Sequence, residues 1–333
     1  MADHRRAFRK MRSHTPETLE RRIVRCSVDW SSVGIRLIDY LAGRFTYRDA
    51  AAWSEVIRTG EIRVNGKDAL PEQILQMHDL IEYLPKELTE PECDLNYRVA
   101  YEDDTLLVVD KPGNLCIHPS GPFFKHTLWH LLCAKYGEIH FINRLDRETS
   151  GLLIAAKEKN AAAKLQKHAD AIEKCYLAVV HGAFDREIDA AGFLIADTAS
   201  AVHKKRRFVS ELPEHAVNAE SCRTLLTPAG SVTNGLSLVR ARLFTGRMHQ
   251  IRATLHSLGF PVAGDKLYGV DETLFLKIRS DSFTPEDREK LVFPRQALHS
   301  AELSFVHPLT RETIRCTSPL PPDIGGVTTE AKP

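Results

Sequence analysis

In the stretch INRLDRETSG, residues 142 to 151, a single carboxylate, Asp146, stands between two guanidinium groups, Arg144 and Arg147. A carboxylate so placed can cap a turn or close an ion pair. It can also act as a nucleophile or a base, because neighbouring cations keep it ionised at neutral pH and disfavour a role as an acid. Asn143 to Gly151 lie between two predicted strands, IHF and LLIAA, and functional groups concentrate on loops anchored by rigid elements. Ser150 is a rival nucleophile, but it lacks the G-x-S-x-G setting and the sequence assigns it no His or acid partner.

The rest of the composition narrows the chemistry. Seven cysteines, at 26, 93, 116, 133, 175, 222 and 316, form no C-x-x-C pair and no regular spacing, which argues against structural zinc and against a disulfide framework. Lys and Arg number 45 against 44 Asp and Glu, a net charge of +1, so any attraction to nucleic acid must be local. Residues 1–25 carry eight Lys or Arg against three acids, and HKKRRF at 203–208 packs four more cations together. Both are candidate phosphate contacts, with a solvated arm and a charged loop as the alternative. No apolar run reaches the length of a membrane span, and the N-terminus is too basic for a secretory signal. Asp3, Glu17 and Glu20 also argue against an organellar transit peptide, so a cytoplasmic protein is expected.

These groups need elements to hold them, and 333 residues suffice for about two domains. Leu37, Ile38, Leu41 and Phe45, then Trp53, Val56 and Ile57, fall at helical spacing and predict two short helices, with Gly60 as a stop. Ile62 and Val64 alternate with charges up to Asn65-Gly66, a hairpin turn, and DLIEYL supplies a closing strand. The polar, proline-containing PKELTEPECDLN that follows reads as a linker. Residues 33–85 resemble the small RNA-binding module of the S-four type, which presents cations on two helices and a hairpin. The resemblance assigns RNA contacts to Arg36, Arg44, Arg48 and Lys67, and places His78 where a glycine is common before D-x-I. The alternative is a small α+β domain with an ordinary charged surface.

From residue 98 the texture changes. YRVAYEDDTLLVVDKPG reads as two strands around a turn, TLWHLLCAKY and KNAAAKLQKHADA as helices, and KCYLAVVHG, LSLVRARLFTG and LHSAELSFVHP as strands. There is no regular βαβ alternation, so the doubly wound class is disfavoured. The expectation is an α+β chain: a basic arm (1–25), a small domain (26–86), a linker (87–97), a mixed, mainly antiparallel catalytic domain (98–320) and a tail (321–333).

RLDRETSGLLIAAK, KCYLAVVHG, FTGRMHQIRATLHSLGFPVAGDKLYG and LHSAELSFVHP occur in the order and approximate spacing of the RluA-type pseudouridine synthases, and residues 98–312 resemble that family. The resemblance implies isomerisation of uridine in structured RNA, ribosomal or transfer, with no cofactor and no metal. It implies that Asp146 is the catalytic aspartate, that Tyr176 stacks on the uracil, that Arg252 pairs with Asp146, and that Arg144 occupies the place of the extruded uridine. The family usually has His before R-L-D where this chain has Asn143, which leaves the hydrogen bonding of the loop open. By residue type alone, Tyr176 reads by default as a core tyrosine and Arg252 as a structural ion pair, and only the motif order favours the functional roles. His249 and Gln250 read as support for Arg252, and VAGDKLYG as a turn near the site formed by Asp265. A monomer is expected. The alternatives are a non-catalytic RNA-binding or folding factor and a glycosidase-like hydrolase, the latter needing a second carboxylate that the sequence does not offer.

Overall fold

The structure, a computed structural model, describes residues 22–45, 48–85, 90–216, 218–232, 235–279 and 282–325. Most of the basic arm, the start of the linker and most of the tail lie outside these residues. The chain divides into two units, Met1–Pro91 and Glu92–Pro333.

In the first unit the two expected helices are α1 (Leu37–Arg44) and α2 (Ala50–Arg58). Asp49 ends the turn before α2 by accepting the Ala52 N–H at 2.8 Å, which satisfies one of the unpaired donors of the first helical turn. Leu37, Leu41, Trp53 and Ile57 share one core with Ile62 and Ile81 of the sheet. That sheet runs in the order β1 (Val24–Ser27), β4 (Leu80–Tyr83), β2 (Ile62–Val64), β3 (Lys67–Asp68), antiparallel throughout. Asn65 and Gly66 take φ of 54° and 76°, the left-handed pair that a two-residue hairpin demands. Strand β1 lies partly within the stretch read as an arm; only the alternation of VRCS distinguishes it there. His78 sits at φ 67°, where a side chain costs roughly 1–2 kcal/mol and glycine costs none.

The second unit contains, among the described residues, a sheet of eleven strands. Its order is β11 (Arg206–Val209), β10 (Ile188–Ala196), β12 (Glu220–Val232), β13 (Leu236–Leu243), β9 (Glu173–His181), β14 (Leu298–Val306), β8 (Ser150–Ala156), β6 (Leu106–Lys111), β5 (Arg98–Glu102). The short β15 (Thr313–Thr317) pairs with β14, and β7 (His140–Phe141) with β8. The ladders are antiparallel except that between β8 and β14, which is parallel over Ser150↔His299 and Gly151↔Ser300. This is the mixed, mainly antiparallel α+β sheet expected from the sequence. Helix α3 (Leu128–Tyr136) begins at Thr127, whose hydroxyl accepts the His130 N–H. Helix α4 (Lys159–Lys167) lays Ala161, Ala162 and Leu165 on Leu106, Val108, Leu152 and Ile154.

Among the elements that the sequence reading does not draw, two are missed for a clear physical reason. Strand β12 contains Pro228 and Gly230, residues that announce a turn; the strand absorbs them in a bulge, where its register against β13 shifts. Helix α5 (Gln250–Ser257) buries all six residues from Gln250 to Leu255, so no polar face marks it as a surface helix. It packs through Ala253 beside Leu194, Val202, Leu267 and Tyr268.

Candidate active site

Asp146 lies on the loop between β7 and β8, and that loop is held at several points. The Asn143 side chain accepts the Ile154 N–H through Oδ1 at 2.9 Å. It thereby extends the ladder by one bond from a side chain, and this is how the chain accommodates asparagine before R-L-D. Lys111 Nζ donates to the Arg147 carbonyl at 3.0 Å and to Pro112 O at 2.8 Å from a fully buried position. Burial, followed by the cation of Arg295, pushes its amine down to about 7. Glu148 is clasped by Lys266 Nζ at 2.8 Å and the Gln296 N–H at 3.2 Å, and its carbonyl accepts from Arg295 Nη1 at 2.9 Å. Arg295 in turn anchors to Asp323 through Nε and Nη2, at 2.6 and 2.9 Å. A loop tied down this firmly presents Asp146 without paying an ordering cost at each encounter with substrate.

Facing it, α5 supplies Arg252. Nη1 donates to Asp146 Oδ2 at 2.7 Å, while Nε and Nη2 donate to Asp265 Oδ2 and Oδ1 at 2.6 and 2.8 Å. Asp265 also accepts the N–H groups of Leu267 and Tyr268, both at 2.9 Å. It is therefore the turn former expected and also the buried counter-ion of Arg252, a role the sequence reading did not assign. Desolvation opposes the charge on Asp265, but Arg252 and the two N–H groups outweigh it and hold the carboxyl below its usual range. The balance at Asp146 is similar: desolvation raises its pKa, Arg252 and then His249 lower it, and the net shift is downward. Asp146 is thus a carboxylate at neutral pH, with 32% of its side chain exposed.

The Gln250 amide staples the start of α5. Its Oε1 accepts from Thr245 Oγ1 and the Arg247 N–H at 2.9 and 3.0 Å, and its Nε2 donates to Arg223 O and Thr224 Oγ1 at 3.1 and 2.9 Å. His249 caps the helix in a left-handed conformation, φ 58°, and points Nε2 at Asp146 Oδ1, 3.9 Å away. Tyr268 lies under the Arg252 guanidinium, 4.9 Å from ring centroid to carbon. Tyr176, on β9 opposite Ala241 and Ser300, is 6% exposed. Burial pushes its hydroxyl up to about 12 against a hydrogen bond from Ser300, and the charge of Asp146 adds to the rise. It is a neutral phenol within the field of the carboxylate.

Arg144 is exposed on the same loop and has no hydrogen-bonding or ionic partner among the described residues. The structure therefore brings Asp146, Arg252 and Tyr176 together and leaves Arg144 beside them. In the first unit, Arg36 pairs with Asp39 at 2.6 Å, and Arg44 lies 5.7 Å from the Tyr40 ring. Arg48 covers Trp53 at 5.3 Å, and Lys67 is exposed on β3.

Two sequence readings need correction. HKKRRF does not present four cations to a phosphate: Lys205 and Arg206 are each 5% exposed. Lys205 is paired with Glu272 at 2.6 Å, and Arg206 with Glu220. They sit where β11 begins; Glu220 comes from the start of β12 in the same sheet, and Glu272 directly precedes the helix Thr273–Arg279. Ser150 does have a histidine, since its Oγ lies 3.0 Å from His299 Nδ1. It is nonetheless 2% exposed and accepts from Arg295 Nη2 at 3.2 Å, and His299 Nε2 faces the Ser318 carbonyl rather than an acid. Among the described residues no group of three or more His, Cys, Asp or Glu is arranged to hold a metal. None of their helices is long and apolar enough to cross a membrane. An open trough of about 560 Å³, lined by Glu173, Cys175, Arg240, Arg242, Glu302 and Arg315, occupies the sheet face to which residues alternating with Tyr176 point, away from Asp146.

Residues 105–257 match the family model of RNA pseudouridylate synthases. The chain is 30% identical over 325 residues to ribosomal large subunit pseudouridine synthase D of Xanthomonas campestris, covering 94% of both chains. It is 29% identical over 249 residues to the mitochondrial tRNA pseudouridine(32) synthase of Saccharomyces cerevisiae, covering 71% of this chain and 51% of that one. Its fold matches the structure of human RNA pseudouridylate synthase domain containing 1 with a TM-score of 0.56 at 22% identity, over 72% of this chain and 91% of that one. The chain belongs to the RNA pseudouridine synthase family and is an isomerase acting on RNA.

Proposed function

We propose that Asp146 is the catalytic carboxylate, and that one observation carries the assignment: Arg252 occupies Oδ2 at 2.7 Å while Oδ1 has no hydrogen bond among the described residues. Ionised, oriented and open on one oxygen, Asp146 can act on the sugar of a flipped uridine, either at the anomeric carbon or on a ribose proton. Arg252, itself fixed by Asp265, positions that oxygen. Tyr176 offers its ring to the detached uracil while the base turns and its carbon five replaces the ring nitrogen on the ribose. The proton lost from that carbon is balanced by the one gained at nitrogen, so the reaction needs no redox partner. Arg144, exposed and without a partner among the described residues, fills the gap in the RNA. Asp265 is sealed under Arg252 at 1% exposure, which argues against the paired carboxylates of a glycosidase. The intact Asp146 and Arg252 pair argues against a non-catalytic RNA-folding factor.

The substrate is structured RNA, ribosomal or transfer, in keeping with the names of the relatives. Arg36, Arg44, Arg48 and Lys67 of the first unit serve as docking contacts. We take the protein to act as a monomer, and seven free cysteines support a reducing, cytoplasmic setting. The test is Asp146→Asn, which keeps volume and removes charge. Pseudouridine formation in total RNA should fall by about 1000-fold or more while folding and RNA affinity persist. A rate within about tenfold of the native enzyme, about 1.4 kcal/mol in barrier, would remove Asp146 from this role.

A further inference from the structure

The reading of Asp146 leaves His249 without a stated task, yet the fold invests in its placement. A left-handed, non-glycine residue holds an imidazole that is 11% exposed against the free oxygen of the carboxylate, and such strain persists where the surroundings enforce it. The hydrogen bonds around it also fix which ring nitrogen carries the proton. Tyr268 Oη accepts the Arg206 N–H at 2.9 Å and lies 3.1 Å from His249 Nδ1. Among the described residues Nδ1 is the acceptor available to the phenol's own hydrogen. Nδ1 therefore accepts, and the ring proton sits on Nε2, facing Asp146 Oδ1.

The 3.9 Å between Nε2 and Oδ1 is too long for a hydrogen bond. It is the width at which one oxygen can lie about 2.8 Å from both atoms, with an angle of roughly 90° between them. Such an oxygen must accept from the imidazole and donate to the carboxylate, as a hydroxyl does. We propose that His249 and Asp146 together grip the 2′-hydroxyl of the target nucleotide, so that His249 is a specificity residue that makes the enzyme select ribose over deoxyribose at the reacting position. The proposal rests on Asp146 acting at the sugar: a hydroxyl held against Oδ1 is the one next to the anomeric carbon. The 2′-hydroxyl is also the group by which RNA differs from DNA at any one site. Burial pushes the imidazole down to about 4, so the neutral donor persists across the physiological range.

The test uses a synthetic RNA stem-loop centred on the uridine that pseudouridine mapping identifies, made with either uridine or 2′-deoxyuridine at that single position. Single-turnover rates are measured on both for the native enzyme, His249→Leu, His249→Gln and Tyr268→Phe. The native enzyme should favour the ribose substrate by at least tenfold. His249→Leu should lose about tenfold on ribose and much less on deoxyribose, so that the ratio collapses. His249→Gln, whose amide nitrogen reaches a similar point, should recover most of the ratio. Tyr268→Phe, which keeps the imidazole but frees its tautomer, should lower the ratio partly. If deoxyuridine turns over too slowly to time, the same comparison is made on binding of the two RNAs in an Asp146→Asn background, with a threefold change as the threshold. An unchanged ratio in His249→Leu, or glutamine no better than leucine, overturns the proposal. An active Asp146→Asn enzyme would instead overturn the reading of the carboxylate on which it rests.

Discussion

At the scale of single residues, the site contains two bases whose charged forms the fold disfavours, and each leaves a signature in stability against pH. His249 is pushed down to about 4 and Lys111 to about 7, so in both cases the unfolded chain binds a proton that the folded one refuses. Stability must then rise with pH wherever only the unfolded state is protonated. That window runs from about 4 to 6.5 for His249 and from about 7 to 10.5 for Lys111. Urea midpoints taken from pH 7 to 9 should show Lys111→Met with a flatter, or more negative, slope than the native protein. Parallel slopes would mean that the buried amine titrates normally. Asp146 was legible in the sequence because a loop concentrates its polarity, and Arg252 and Tyr176 because their motifs fall in order. Tyr268 and the deeper role of Asp265 were not legible. A turn-forming aspartate and a counter-ion look alike until the guanidinium 13 positions upstream is placed against it.

At the scale of elements, helices α1 to α4 and the alternating strands β6, β9, β13 and β14 follow from periodicity, while β12 and α5 do not. In β12 local turn residues are overruled by pairing on both sides, and in α5 burial of the six residues from Gln250 to Leu255 erases the amphipathic pattern. The element that positions the loop of Asp146 depends on a glycine. Gly151 has φ 104°, and a Cβ there would lie 2.3 Å from the Ser300 carbonyl oxygen, inside the parallel contact of β8 with β14. Gly151→Ala should therefore destabilise the second unit by about 3 kcal/mol or more, since both the backbone conformation and the strand spacing oppose it. Gly43, at the end of α1, meets nothing within 4 Å, and Gly43→Ala should be neutral or slightly stabilising. Denaturation of both variants checks the contrast, and equal stabilities would refute it.

At the scale of the whole molecule, the proposed catalytic residues all lie within Glu92–Pro333, and the proposed docking cations lie within Met1–Pro91. Phosphate contacts add affinity that falls with salt and do not touch the reacting base. A chain beginning at Glu92 should fold, bind natural RNA more weakly with a shallower salt dependence, and keep its single-turnover rate at saturating RNA. Identical salt slopes would show that the first unit is not an RNA contact. A different consequence follows from the pairing of β8 with β14. Ser150 and His299 are 149 positions apart, and Asp146 and Arg252 are 106 apart. Contacts between such distant segments form late and slowly, because a long loop must be closed before either end is rewarded. At roughly 5–20 residues per second of synthesis, the loop bearing Asp146 is made on the order of 10 s or more before the strand that completes its support. While the rest of the chain is being translated, Asp146 is therefore carried on a loop whose buried partners do not yet exist.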